Sequence, residues 1–176
     1  QTLSGGFDWL FFLDDDVITP PDAILRLMAH NKPIVSGVYY RRSPPIGLPV
    51  MLRDVGPDGI NGRQYIEQYK IPDLIEADHV GAGCLLIHRV VLEQLPPLSP
   101  RCHWFDWRVD RTDLPPNQRL SEDYVFCRHA RMNGFKVLVD TSIQCRHGGQ
   151  AESRLGMGKG NGVFLPEFVP ADMRAA

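Results

Sequence analysis

The chain has 176 residues and a mass of 19.9 kDa, one ordinary domain by length, and roughly 70% of its unfolded surface can be buried on folding. With 43% hydrophobic residues, 23% charged residues and a net charge of -2, it reads as globular rather than disordered or fibrous, and no global positive field recruits nucleic acid. No apolar run reaches the ~18 residues of a bilayer span, no signal-peptide pattern opens the chain, and its cysteines form no Cys-x-x-Cys pair, a usage that fits a reduced, cytoplasmic setting.

Phe7-Asp8-Trp9-Leu10-Phe11-Phe12-Leu13 is almost wholly apolar, the pattern of a strand buried on both faces of a parallel or mixed sheet. It stops at Asp14-Asp15-Asp16. After Pro20-Pro21-Asp22, residues Ala23 to His30 put Ile24, Leu27 and Met28 on one helical face. Pro33 separates this helix from a second strand, Ile34 to Tyr40. Strand, helix, strand is a crossover unit, which predicts an α/β architecture.

Arg41 to Lys70 reads as loops with a hairpin around Pro57-Asp58-Gly59. Leu74 to Val80 predicts a strand, Gly81-Ala82-Gly83 a tight turn, and Cys84 to His88 another strand leading into a short helix, Val90 to Leu95. A Pro-rich, aromatic loop runs from Pro96 to Arg119. Ser121 to Asn133 predicts a helix capped by Ser121 and stopped at Gly134, and Lys136 to Asp140 a last core strand. From Gly148 onward the chain is Gly-rich, and Gly156 to Gly162 reads as flexible. No internal repeat is present.

Three consecutive aspartates just past a buried strand repel one another and are not there for packing. Carboxylates at the carboxyl edge of an α/β strand suit a hard divalent cation, Mg²⁺ or Mn²⁺, shared with phosphates. The plainer reading is a solvated loop in which Asp16 or Asp22 caps the next helix. Two enzyme families follow an apolar strand with Asp-x-Asp: the haloacid-dehalogenase-like phosphatases and the GT-A glycosyltransferases. The first pattern wants Thr or Val where Ile18 stands, and a later Gly-Asp-x-x-x-Asp pair that is missing.

Three further landmarks follow. Gly81 and Gly83 allow close backbone approach at a ligand-facing turn, or simply make a hairpin or bulge. Glu122 and Asp123 open a helix, where acids suit the macrodipole by about 0.3–1 kcal/mol each, and a carboxylate there also suits a general base. His147, followed by Gly148-Gly149, suits a Mn²⁺ or Zn²⁺ ligand as well as it suits a plain loop residue.

In order and spacing these four landmarks resemble the GT-A nucleotide-sugar glycosyltransferases, family 2-like, from about Phe7 to His147. The resemblance implies a Rossmann-like mixed sheet flanked by helices, with residues 1–150 a catalytic portion and residues 151–176 a tail or lid. It implies that Asp14 and Asp15 contact the ribose and donor, that Asp16 and His147 hold Mn²⁺ or Mg²⁺, and that Gly81, Ala82 and Gly83 line the donor sugar. Asp123 matches the base of inverting members, and Glu122 a residue that binds donor or acceptor sugar. The acceptor is then a carbohydrate or another hydroxyl compound, in the aromatic stretch His103-Trp104-Phe105-Asp106-Trp107, whose Trp104 and Trp107 rings suit stacking on sugar faces.

Members of that family begin with a nucleotide-binding strand and helix, whereas six residues precede Phe7 here. The chain is therefore expected to be an N-terminally truncated piece. Lys159, among glycines, suits a mobile cation closing over a diphosphate. Two alternatives stand beside the transferase: a phosphatase using Asp14 and Asp16, and a zinc-stabilised module built on Cys102-His103, Cys127-Arg128-His129 and Cys145-Arg146-His147. Structural zinc sites prefer other spacings.

Overall fold

A computed structural model describes residues 3–41, 47–56, 62–98, 104–105 and 120–147. In chain order the elements are β1 (Trp9–Leu13), β2 (Val17–Ile18), α1 (Ala23–Ala29), β3 (Ile34–Val38), β4 (Met51–Asp54), β5 (Arg63–Tyr65), β6 (Leu74–Ala77), β7 (His79–Val80), β8 (Cys84–His88), α2 (Arg89–Gln94), α3 (Glu122–Met132), β9 (Val137–Gln144) and β10 (Arg146–His147). The main sheet has five strands in the order β1-β8-β3-β9-β6. Strands β3 and β9 pair in parallel, while β8 is antiparallel to both β1 and β3. β1 and β3 therefore run the same way with β8 between them, and the predicted crossover through α1 skips one strand. Two smaller sheets, β5-β4-β7 and β10-β2, stand beside the main one.

Strand alternation builds a core on each face. From β8, Leu85 and Ile87 join the larger cluster with Val91, Leu92, Phe126 and Ala130, all from α2 and α3. Cys84 and Leu86 point the other way, into a cluster with Ala23 and Leu27 of α1. β3 divides likewise, Ile34 and Val38 to the first cluster and Val35 to the second. The result is a mixed α/β protein with helices on both faces. No helix among the described residues is long and apolar enough to cross a membrane.

Several expectations need correction. β1 is an edge strand with only β8 as partner, so it is half-buried rather than buried on both faces, and Leu13 at its end is 50% exposed. α1 buries Ala23 and Leu27, one turn apart, and leaves Ile24 and Met28 exposed. The run from Leu74 to Val80 is two strands in two sheets, because Asp78 turns the chain: its N–H bonds Leu52 O and its carboxylate accepts Asp54 N–H. Ser121 holds the backbone position of a cap, yet its hydroxyl goes to the Asp123 carboxylate instead of an open N–H. β9 extends to Gln144, beyond the predicted end at Asp140.

Other expectations match. The hairpin between Arg41 and Lys70 is β4 with β5, paired Leu52 to Tyr65, and its Pro57-Asp58-Gly59 tip lies outside the described residues. α2 and α3 lie within a residue of their predicted ends, and Gly134 leaves α3 with a φ of +86°.

Candidate active site

The three strands that run the same way, β1, β3 and β9, deliver their carboxyl ends to one edge of the sheet. Asp14-Asp15-Asp16 follows β1, Tyr39-Tyr40-Arg41 follows β3, and Cys145 with β10 follows β9. Open α/β sheets bind ligands at this edge. The start of β8 brings Gly81-Ala82-Gly83 to it, and Asp14 N–H bonds Gly83 O at 3.3 Å. β10 then pairs with β2, which sets His147 opposite Val17 and beside Asp16.

The carboxylate and imidazole at this edge have a definite chemistry. His147 Nδ1 lies 2.7 Å from Tyr40 O. A carbonyl only accepts, so Nδ1 carries the hydrogen and Nε2 is left facing Asp16 Oδ1 at 3.3 Å. An imidazole oriented through a backbone carbonyl, with its other nitrogen beside a carboxylate oxygen, is the usual arrangement of a metal-ligating histidine. Asp16 and His147 thus fit a hard divalent cation that keeps water or phosphate oxygens for its other positions. Among the described residues, no three His, Cys, Asp or Glu side chains gather as a complete metal cage.

Asp14 holds its proton more tightly than an ordinary aspartate. Partial desolvation is the main cause, followed by repulsion from Asp16, Asp15 and Glu122, with His147 opposing. Asp123, at the start of α3, is raised as well, chiefly by burial and further by Glu122. Against this, its carboxylate accepts the Ser121 hydroxyl and Tyr124 N–H at 2.9 Å, and the Ala82 amide dipole acts in the same direction.

Tyr39, which sequence reasoning missed, forms the floor of this arrangement. Its hydroxyl accepts Gly83 N–H at 3.1 Å, and its ring meets His147 edge-on at 5.5 Å. Burial pushes the phenol well above its ordinary value, and the charges of Asp123 and Asp14 push it further. The two glycines follow from this ring. A Cβ at Gly81 would lie 1.8 Å from the Tyr39 hydroxyl oxygen, and one at Gly83 would lie 2.9 Å from Tyr39 Cζ and 3.0 Å from Asp14 Oδ2. The only earlier sign was a Tyr-Tyr doublet after an apolar strand, which any buried aromatic pair would show.

Four separated stretches of the predicted site thus meet at this edge: Asp14 to Asp16, the glycine turn, Glu122 with Asp123, and His147. Trp104, expected to stack on a sugar face, is half-buried. It packs with Phe105 against the larger core, where Phe105 stacks on Phe126 at 4.5 Å and meets Phe12 at 5.0 Å. Trp107, Lys159, Cys102 and His103 lie outside the described residues. Cys127 points into the core toward Val80 O, whereas His129 bonds Pro96 O at 2.8 Å, so these two expected zinc ligands face different partners.

A second charged group stands under α3. His79, 1% exposed, has Nε2 at 2.8 Å from Asp54 Oδ1 and Nδ1 at 3.2 Å from Tyr124 O. Arg131, on the same helix two turns on, reaches Asp54 Oδ2 at 2.8 Å and Asp78 Oδ1 at 2.7 Å. Burial raises Asp54, but the bonds from Arg131 and His79 outweigh it and hold the carboxyl below its ordinary value.

No protein-family model and no curated protein matches the chain. Among solved structures, the crystal structure of A197 from STIV is similar to it at 17% sequence identity, with a TM-score of 0.49, over 87% of this chain. The chain spans 63% of that protein's length.

Proposed function

We propose that this chain carries the metal and base residues of a GT-A-like glycosyltransferase, one that moves a sugar from a nucleoside-diphosphate donor to an acceptor hydroxyl with inversion. The observation that supports it is the convergence at one sheet edge of Asp14, Asp16, Gly81 to Gly83, Asp123 and His147, which lie up to 133 residues apart in the chain (147 − 14). A divalent cation held by Asp16 and His147 would neutralise charge on a departing diphosphate.

The chain's own residues do the rest. Asp14 and Asp15 offer acceptor oxygens to donor hydroxyls. The turn from Gly81 to Gly83, whose side-chain places Tyr39 fills, presents its backbone to the donor sugar. Asp123 takes the proton of the acceptor hydroxyl as its oxygen bonds the anomeric carbon and the bond to the diphosphate breaks. A carboxylate with raised proton affinity suits that step, since a general base works best when its pKa lies near the operating pH.

The test is a thermal melt with Mn²⁺ and a panel of nucleoside diphosphates, beside Asp16→Ala. Ligand at one hundred times its dissociation constant adds about 2.7 kcal/mol, or roughly 5–11 °C for a chain of this size. The proposal expects a nucleotide shift that requires Mn²⁺ and disappears in Asp16→Ala. A nucleotide shift of equal size without metal, or one retained in Asp16→Ala, contradicts it.

A further inference from the structure

The group under α3 does more than join two elements. His79 and Ala82 belong to one short segment, β7 and the turn that follows it, and both contact the first turn of α3. The Ala82 amide favours the ionised Asp123 carboxylate, and His79 Nδ1 lies 3.2 Å from the carbonyl oxygen of Tyr124, the next residue. The His79 ring also lies 5.4 Å from the Tyr124 ring. At the far end of the helix, Arg131 is tied to Asp54 and Asp78. Asp54 carries both connections, one carboxylate oxygen to His79 and the other to Arg131. A closed loop of contacts results, from His79 to Asp54, to Arg131, along α3 to Tyr124, and back to His79.

We propose that His79 is a positioning residue for Asp123: through the Tyr124 carbonyl it seats the first turn of α3 beside the glycine turn and so keeps the half-buried Asp123 carboxylate in place. This rests on Asp123 as the base of the proposed transfer, but the coupling itself is a property of the fold. The groups facing the imidazole are Asp54 of β4, Tyr124 and Arg131 of α3, and, behind Arg131, Asp78 between β6 and β7. Both contacts of the ring are to acceptors; burial lowers the proton affinity of the imidazole, with Asp54 and the Tyr124 carbonyl opposing, and the bond to that carbonyl requires the N–H on Nδ1.

Two substitutions separate the contacts. The amide nitrogen of Asn reaches the place of Nδ1, and that of Gln the place of Nε2. His79→Asn therefore keeps the bond to the Tyr124 carbonyl and loses Asp54, while His79→Gln keeps Asp54 and loses the carbonyl. The readout is the titration midpoint of the Asp123 carboxyl, followed by ¹³C NMR on the full chain, which needs no substrate. The midpoint is expected to stay raised in His79→Asn and to fall by about 1 unit in His79→Gln, a typical spread for carboxyls in folded proteins. A purely structural role predicts equal midpoints in both variants with equal losses of Tm, and that result overturns the proposal. Should neither variant fold, ¹⁵N spectra of the unsubstituted chain decide: a His79 Nδ1 without its proton overturns it. If the midpoint follows His79 while no nucleotide-sugar is turned over, the coupling is upheld and only the transferase reading fails.

Discussion

Two sets of carboxylates in this molecule lie on either side of the first turn of α3 and behave in opposite ways. At the sheet edge, burial first and neighbouring carboxylates second (Asp16, Asp15 and Glu122 for Asp14, Glu122 for Asp123) make both Asp14 and Asp123 hold their protons more tightly than free aspartates. Under the helix, Asp54 faces Arg131 and His79 and is held below the ordinary range. Asp140 behaves the same way, its burial outweighed by Ser142 and His30. The residue type is one and the same. What differs is whether hydrogen-bond donors and opposite charges outweigh the cost of burial. Asp54 and Asp140 are matched by such partners, whereas at the candidate site Asp16 meets His147 and Asp14 and Asp123 keep raised values; perturbed values of this kind cluster at functional sites.

Removing a partner from the matched set should have the largest effect on stability. Arg131→Ala leaves Asp54, with its side chain 7% exposed, and Asp78 facing no guanidinium. Loss of one partner of a buried pair costs about 3–5 kcal/mol, and because the Arg131 side chain is 30% exposed the lower end is expected. That is a fall in Tm of roughly 6–12 °C by calorimetry. A fall below about 2 °C would show that the group under α3 is only decorative.

Acid should then separate the two sets. Asp54 and Asp140 have folded values below their unfolded ones, so their contribution is complete above the ordinary carboxylate value and is lost as pH falls through the lower folded values. Asp14 and Asp123 have folded values above the unfolded ones, so ionising them costs the fold, and protonation on mild acidification returns that stability. Urea titrations across pH should show stability first rising slightly as pH falls toward the raised values and then dropping below about pH 4. In Asp123→Asn the early rise shrinks, and in Asp54→Asn the later drop shrinks. Equal profiles for the two variants would erase the distinction drawn here.

The smallest effect belongs to an exposed pair. Lys136 and Glu76 meet at 2.8 Å with side chains 72% and 49% exposed, and Lys136→Ala should cost no more than about 1 kcal/mol. A larger loss would mean that pairing, and not burial of the pair, sets the scale.

Much of this was readable one stretch at a time. The aspartates after an apolar run, the paired glycines, the acids opening α3 and the histidine before Gly148 are local patterns, and local patterns fix helix ends and turns. What the sequence does not print is which neighbour each side chain meets. β1 reads as a central strand because apolar content is the same at an edge. Ile24 and Met28 read as core because periodicity marks a stripe but not where the sheet ends. Tyr39 carries no mark that it will fill the space two glycines leave open, and His79 none that its partners lie 25 and 45 residues away. Each of these is set by tertiary packing, which overrides local preference.

The most direct measurement is turnover itself: the chain with Mn²⁺ and a panel of nucleotide-sugars, scored for nucleoside diphosphate and for inorganic phosphate, beside Asp123→Asn. Loss of a general base costs about 10²–10⁴-fold in rate. The account predicts release of nucleoside diphosphate by the unsubstituted chain, reduced by that factor in Asp123→Asn, with a variant that melts no lower at neutral pH. Release of inorganic phosphate, or equal rates in the two proteins, would contradict it.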